Sequence, residues 1–138
     1  MPTLPWKSIS KPPPGTVVLV MASRLDVRSF KDVPRFFLRS LAAWRQVLGT
    51  RGGVGASLIA DLGKRRFWTL SAWQDKDALY AYAKTEPHQS IMVGLRPTMR
   101  ESVFTFWETS VENLPISWSE AKRRIQEQER ADHDKAGA

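Results

Sequence analysis

Histidine occurs twice in this chain, at His88 and His133, and only His88 stands among the apolar segments of a folded domain. Imidazole is the side chain whose ordinary pKa lies near neutral pH, which makes His88 the candidate general base or haem-iron ligand. His88, Ile91, Met92 and Leu95 fall at i, i+3, i+4 and i+7, one face of a helix directed at the sheet. The competing reading is a core-edge histidine whose ring is satisfied by a neighbouring carbonyl. Rings surround it in the sequence, with six Trp and six Phe. Trp68, Trp73, Tyr82, Met92, Phe104 and Phe106 are candidate walls of an apolar pocket, against the plainer reading that such side chains pack as core. Ser71 and Thr69, on the strand side expected to carry Trp73, are candidate hydrogen-bonding groups. Arg24, Arg96 and Arg100 are candidates to meet a carboxylate or haem propionate bidentately, or else to pair with Asp26 and Glu101.

Other chemistries lack their parts. With no cysteine there is neither a disulfide nor a thiolate, and one core histidine without a paired acidic motif leaves a protein-only metal site short of ligands. No serine has the second histidine or the strained elbow of a nucleophile. Gly52-Gly53-Val54-Gly55 lacks dinucleotide-binding spacing and precedes a strand, so it reads as a bend where chain or ligand approaches closely. The net charge of +7 brings nucleic acid to mind, but before Phe67 12 Lys or Arg stand against 3 acidic residues. There Arg28, Lys31, Arg35 and Arg39 form one solvated helix face without interleaved rings. Nucleic acid and membrane are therefore not expected partners. The longest strongly apolar run, Val17 to Ala22, falls far below the roughly 20 residues that cross a bilayer, and a cytoplasmic location is expected.

These residues need a scaffold of one domain, all that 138 residues allow. Lys11-Pro12-Pro13-Pro14-Gly15 marks residues 1–15 as a proline-rich arm. Thr16 to Ala22 is the first strand. Phe30, Val33, Phe37, Leu41, Trp44 and Leu48 form the apolar stripe of a helix that starts near Asp32 and ends before Gly49. Ala56 to Asp61 and Arg66 to Trp73 make a hairpin around Gly63-Lys64-Arg65. Asp75 caps a second helix with Ala78, Leu79, Tyr82 and Ala83 inward, Pro87 opens the segment carrying His88, and Ser102 to Thr109 is the last strand. The order is βαββαβ, an α+β ferredoxin-like domain over residues 16–110 with a four-stranded antiparallel sheet and two helices on one face. A linker and C-terminal helix at 111–130, anchored by Trp118 and Ile125 to the body or to a partner, and a disordered tail at 131–138 follow. The strands are apolar on both faces, Phe67 and Trp73 against Trp68 and Leu70, and Phe106 against Trp107. A second copy related by a two-fold axis, a homodimer, is the expected cover for the open face.

The run Ser71-Ala72-Trp73-Gln74-Asp75-Lys76-Asp77-Ala78-Leu79-Tyr80-Ala81-Tyr82, then His88, Arg96 and a strand ending in Trp107, resembles the antibiotic-biosynthesis-monooxygenase-like group of dimeric α/β-barrel proteins. Leu114 to Ile125 is similar to the Pro-x-x-x-x-Glu-Ala-x-x-Arg ending of its DUF3291-type and spheroidene-monooxygenase-like branch. The resemblance spans about Thr16 to Ile125. It implies a dimeric α/β barrel and a pocket, in a superfamily that holds cofactor-free oxygenases, haem-dependent enzymes and proteins without known activity. The expected function is a monooxygenase-like protein that binds and oxidises a hydrophobic or aromatic small molecule between helices and sheet, with no cofactor or with haem. The alternative is a non-catalytic haem or small-molecule carrier.

Overall fold

The computed structural model describes residues 3–86 and 88–137, so Pro87, expected to open a helix, lies outside the described residues. Strands β2 (Val17–Val27), β3 (Gly53–Asp61), β4 (Arg66–Trp73) and β5 (Met99–Ser110), with helices α1 (Val33–Leu48), α2 (Lys76–Lys84) and α3 (His88–Leu95), follow the ferredoxin-like order. Two elements are added, β1 (Thr3–Ser8) before them and α4 (Trp118–Gly137) after them. The sheet runs β1-β3-β4-β2-β5 with every pairing antiparallel.

The sheet therefore has five strands, one more than expected, because part of the N-terminal arm pairs with β3. Pro5 argues against a strand in the sequence, but β1 lies at the sheet edge and its register shifts between Leu4 and Lys7, which accommodates a residue without an N–H. Gly55 explains why β1 docks there: a Cβ at that position would overlap the Trp6 indole ring. The glycine-rich run is thus a site of close chain approach, and Gly52 holds φ +88° in the turn before it.

Local signals act as expected in α2, where the Asp75 carboxylate accepts a hydrogen bond from the Ala78 N–H at 2.8 Å. In α1 the most buried positions are Val33, Phe36 and Val47, whereas Phe30, the first residue of the expected stripe, is 60% exposed under the Arg65 guanidinium. The stripe is rotated because the helix faces both a sheet and a second helix. Strand β2 runs five residues past Ala22 to include Arg24 and Asp26, charged residues that sit in the sheet because ion pairs satisfy them.

Strand register sorts the side chains onto two faces. Met21 pairs with Ser71 and Phe106, Ser23 with Thr69 and Phe104, and Leu25 with Phe67, all toward α1, α2 and α3. Val20, Ala22 and Arg24 pair with Ala72, Leu70 and Trp68 on the reverse face. That reverse face holds Val18, Val20, Ala22, Leu70, Ala72 and Val103, and α4 closes it with Ala121 and Ile125, both 0% exposed, beside the half-buried Trp118. The face for which a second copy was expected is thus filled by the same chain. Trp118 and Ile125 anchor α4 to the body, and the helix continues to Gly137 through the segment 131–137 expected to be disordered, Ala138 being outside the described residues. Glu129 to Arg24 at 2.6 Å and His133 to Glu101 at 3.7 Å tether this second half. No helix among the described residues is long and apolar enough to cross a membrane.

Candidate active-site cavity

Between the sheet and the three helices lies a cavity of about 470 Å³, within the range of small-molecule sites. Alternate strand residues make the floor: Met21, Ser23 and Leu25 of β2, Ala56 and Leu58 of β3, Thr69 and Ser71 of β4, and Phe104 and Phe106 of β5. Phe36, Ala43 and Trp44 of α1, Leu79 and Tyr82 of α2, and His88, Ile91 and Met92 of α3 form the roof. The exposed rim of the cavity is mostly apolar, with Tyr80, Val93, Phe104 and Phe106 at 48, 61, 38 and 51% exposure, and carries two polar side chains, Gln89 and Arg96. A concave apolar site with a mostly apolar rim is suited to a molecule whose body water solvates poorly.

His88 is half-buried on the wall of this cavity, with Nδ1 3.2 Å from the Ala83 carbonyl oxygen. A carbonyl only accepts, so the proton resides on Nδ1 and the lone pair on Nε2. The carbonyl-satisfied histidine and the cavity histidine are therefore the same residue. Burial lowers its pKa below the ordinary 6.5, opposed by the Ala83 bond, and leaves the ring neutral at pH 7. The Tyr82 ring packs against the imidazole at 4.5 Å between centroids, tilted by 47°, and Trp73 packs behind Tyr82 at 5.0 Å, tilted by 37°. The Tyr82 hydroxyl donates to the Ala43 carbonyl at 2.9 Å, and burial pushes the phenol well above its ordinary pKa, so Tyr82 is a protonated wall and not a base.

Eight of the sequence candidates meet at this cavity: Thr69, Ser71, Tyr82, His88, Met92, Arg96, Phe104 and Phe106. Trp73 is not part of the lining. It is fully buried, donates its indole N–H to Ser71 Oγ at 2.9 Å and backs the Tyr82 ring. Trp68 and Arg24 are corrected outright, since they are register partners on the reverse face of the sheet. Lys122 of α4 lies over the Trp68 ring at 4.8 Å. Arg24 is nearly fully buried, with its guanidinium 2.6 Å from Glu129, 3.4 Å from Asp26 and 3.5 Å from Glu101. The Glu129 bond holds it charged against the cost of burial. Glu101, Glu129 and His133 also bring ligand atoms within 4.8 Å of one another, a grouping distant in sequence, but both carboxylates already face Arg24, which disfavours a cation there.

Two cavity groups were missed in the sequence. Ser23 lies beyond the expected end of its strand, and its hydroxyl is hydrogen-bonded to that of Thr69 on the cavity floor. Trp44 belongs to the apolar stripe of α1 and borders the cavity. The periodicity that identifies both as inward-facing does not distinguish a packed interior from a hollow one.

Fold and site together define a class: an α+β ferredoxin-like protein with a ligand-sized apolar cavity between its helices and sheet. No family model and no curated protein matches the chain. Solved structures do match. A conserved protein from Methanosarcina mazei Go1 is 14% identical with a TM-score of 0.60, over 67% of this chain and 93% of its own. SnoaB, a cofactor-independent oxygenase from Streptomyces nogalater, is 16% identical with a TM-score of 0.58, over 71% of this chain and 97% of its own. A candidate antibiotic biosynthesis monooxygenase from Nitrosomonas europaea is 12% identical with a TM-score of 0.60, over 69% of this chain and 91% of its own. At these identities the likeness is one of fold alone.

Proposed function

We propose that the protein is a monooxygenase-like enzyme that binds and oxidises a hydrophobic or aromatic small molecule in this cavity without a cofactor, with His88 as general base. The observation that carries this reading is His88 itself, neutral, fixed through Nδ1 and with Nε2 unprotonated on the wall of an apolar cavity. A substrate methylene acidified by adjacent aromatic or carbonyl groups loses a proton to Nε2. The resulting carbanion is the reductant, and dioxygen takes its electrons and forms a carbon-bound hydroperoxide. Loss of water leaves a ketone, so one oxygen atom enters the product and the other leaves as water. The protein contributes the base, the exclusion of bulk water from the carbanion, and hydroxyl groups of Ser23, Thr69 and Ser71 to orient a substrate oxygen.

Haem fits these residues poorly. Of Arg24 and Arg96, expected on its propionates, only Arg96 reaches the cavity, while Arg24 is buried on the reverse face with Glu129. Membership of the DUF3291-type branch is supported by the Pro115, Glu120, Ala121 and Arg124 spacing, and the fold likeness to a cofactor-independent oxygenase agrees with cofactor-free chemistry. A homodimer remains part of the proposal, although its surface is no longer the face that α4 covers.

The test is oxygen uptake by the purified protein with a panel of electron-rich phenols and benzylic ketones. His88→Ala is expected to lower turnover by about 10²- to 10⁴-fold while the fold is retained. Turnover indifferent to His88→Ala overturns the base assignment. Binding without oxygen uptake makes the protein a carrier, and a Soret band on hemin addition that His88→Ala abolishes replaces the cofactor-free reading with haem.

A further inference from the structure

Taking the cavity as the ligand site, we infer that its ligand is an amphipathic oxyanion, with an apolar body inside and a single anionic head at the mouth paired with Arg96. The charge distribution of the lining carries this. Among the described residues no Asp or Glu side chain lines the cavity, and its polar groups other than Arg96 are uncharged: serine, threonine and tyrosine hydroxyls, the Gln89 amide and the neutral His88. Among the described residues Arg96 is the one permanently charged side chain of the lining, and it belongs to the exposed rim with Val93, Phe104 and Phe106.

Arg96 follows directly on α3, where the partial negative charge of the helix end favours a cation. No side chain among the described residues accepts from its guanidinium, in contrast to Arg24, Arg66, Arg123 and Arg124, which face carboxylates. An unpaired planar guanidinium at an apolar mouth offers a carboxylate or sulfonate two parallel N–H donors while the anion keeps part of its hydration. A charge deeper in the cavity would lose that hydration without a counter-ion, so the head group is held at the rim and the body points inward. A cationic amphiphile meets only repulsion there.

The experiment uses two fluorescent probes that share one ring system, 8-anilinonaphthalene-1-sulfonate and the uncharged N-phenyl-1-naphthylamine, titrated into the full chain. Arg96→Met is expected to weaken sulfonate binding about fivefold and to leave the neutral probe within about twofold, the scale of one exposed charge-assisted contact. Arg96→Lys retains part of the preference, and raising the salt concentration weakens only the sulfonate. Equal weakening of both probes, or an unchanged sulfonate affinity, overturns the inference. Ala43→Phe, which fills the cavity, separates the two levels. If it abolishes neutral-probe binding while Arg96→Met leaves the sulfonate untouched, the cavity reading stands and the anionic-head reading falls. If neutral-probe binding survives Ala43→Phe, the probes bind elsewhere and both readings fall.

Discussion

Ile125 is where α4 proves to be part of the domain or only an appendage to it. Its side chain is 0% exposed against Val18, Val20 and Val103 of the sheet. Ile125→Ala removes about three methylene equivalents at roughly 0.8 kcal/mol each, and incomplete collapse of the space left behind adds on the order of 1 kcal/mol. The expected cost is about 3.5 kcal/mol, which in a domain of this size lowers Tm by roughly 10 to 14 °C. Thermal unfolding by circular dichroism measures it, with Leu38→Ala as reference, since Leu38 is 66% exposed and its truncation is expected within about 0.5 kcal/mol of neutral. Because Ile125 lies on the face opposite the cavity, neutral-probe affinity below the transition stays as in the parent protein. A Tm shift for Ile125→Ala no larger than that of Leu38→Ala refutes the conclusion that α4 closes the reverse face.

The Arg24–Glu129 pair yields a second expectation. Glu129→Gln leaves a buried guanidinium with only the longer contacts to Asp26 and Glu101 and costs about 1–3 kcal/mol at neutral pH, read by urea unfolding. Arg24 holds the Glu129 carboxyl below its ordinary pKa of 4.5, so the pair's stabilisation is full above pH 4.5 and fades as pH falls through the lower folded value, a loss that Glu129→Gln should abolish. For His88, whose pKa is lowered by burial, the base is active when neutral, and the acid limb of kcat/KM is expected below pH 6.5. A limb at or above 6.5 would remove His88 from that role. Gly55→Ala forces the Trp6 ring off the sheet and is expected to cost about 1–3 kcal/mol with a red shift in tryptophan emission, whereas unchanged emission would mean that Trp6 does not rest on Gly55.

Much of the site was legible because its elements are specified by short-range chemistry. The Asp75 cap, the i, i+3, i+4 and i+7 spacing of His88, Ile91, Met92 and Leu95, and the alternation of Thr69, Ser71 and Trp73 depend on neighbours within a turn or a strand. These fixed the order of elements and the inward direction of His88. Arg24 is misplaced for the opposite reason. Which sheet face it shares depends on strand register, and its pairing with Trp68 joins strands more than forty residues apart, whereas alternation within β4 by itself sets Trp68 on the face opposite Ser71 and Trp73.

The amino-acid sequence by itself determined the βαββαβ order, the helix carrying His88 and the apolar character of both sheet faces, since each follows from local periodicity and turn chemistry. Only the tertiary structure decided that β1 adds a fifth strand despite Pro5, that α4 fills the reverse face, and that Trp73 is packed solid while Trp44 borders a cavity. Those outcomes depend on which distant surfaces meet and on how completely their side chains fill the space between them, and hydrophobic patterning carries no information about either.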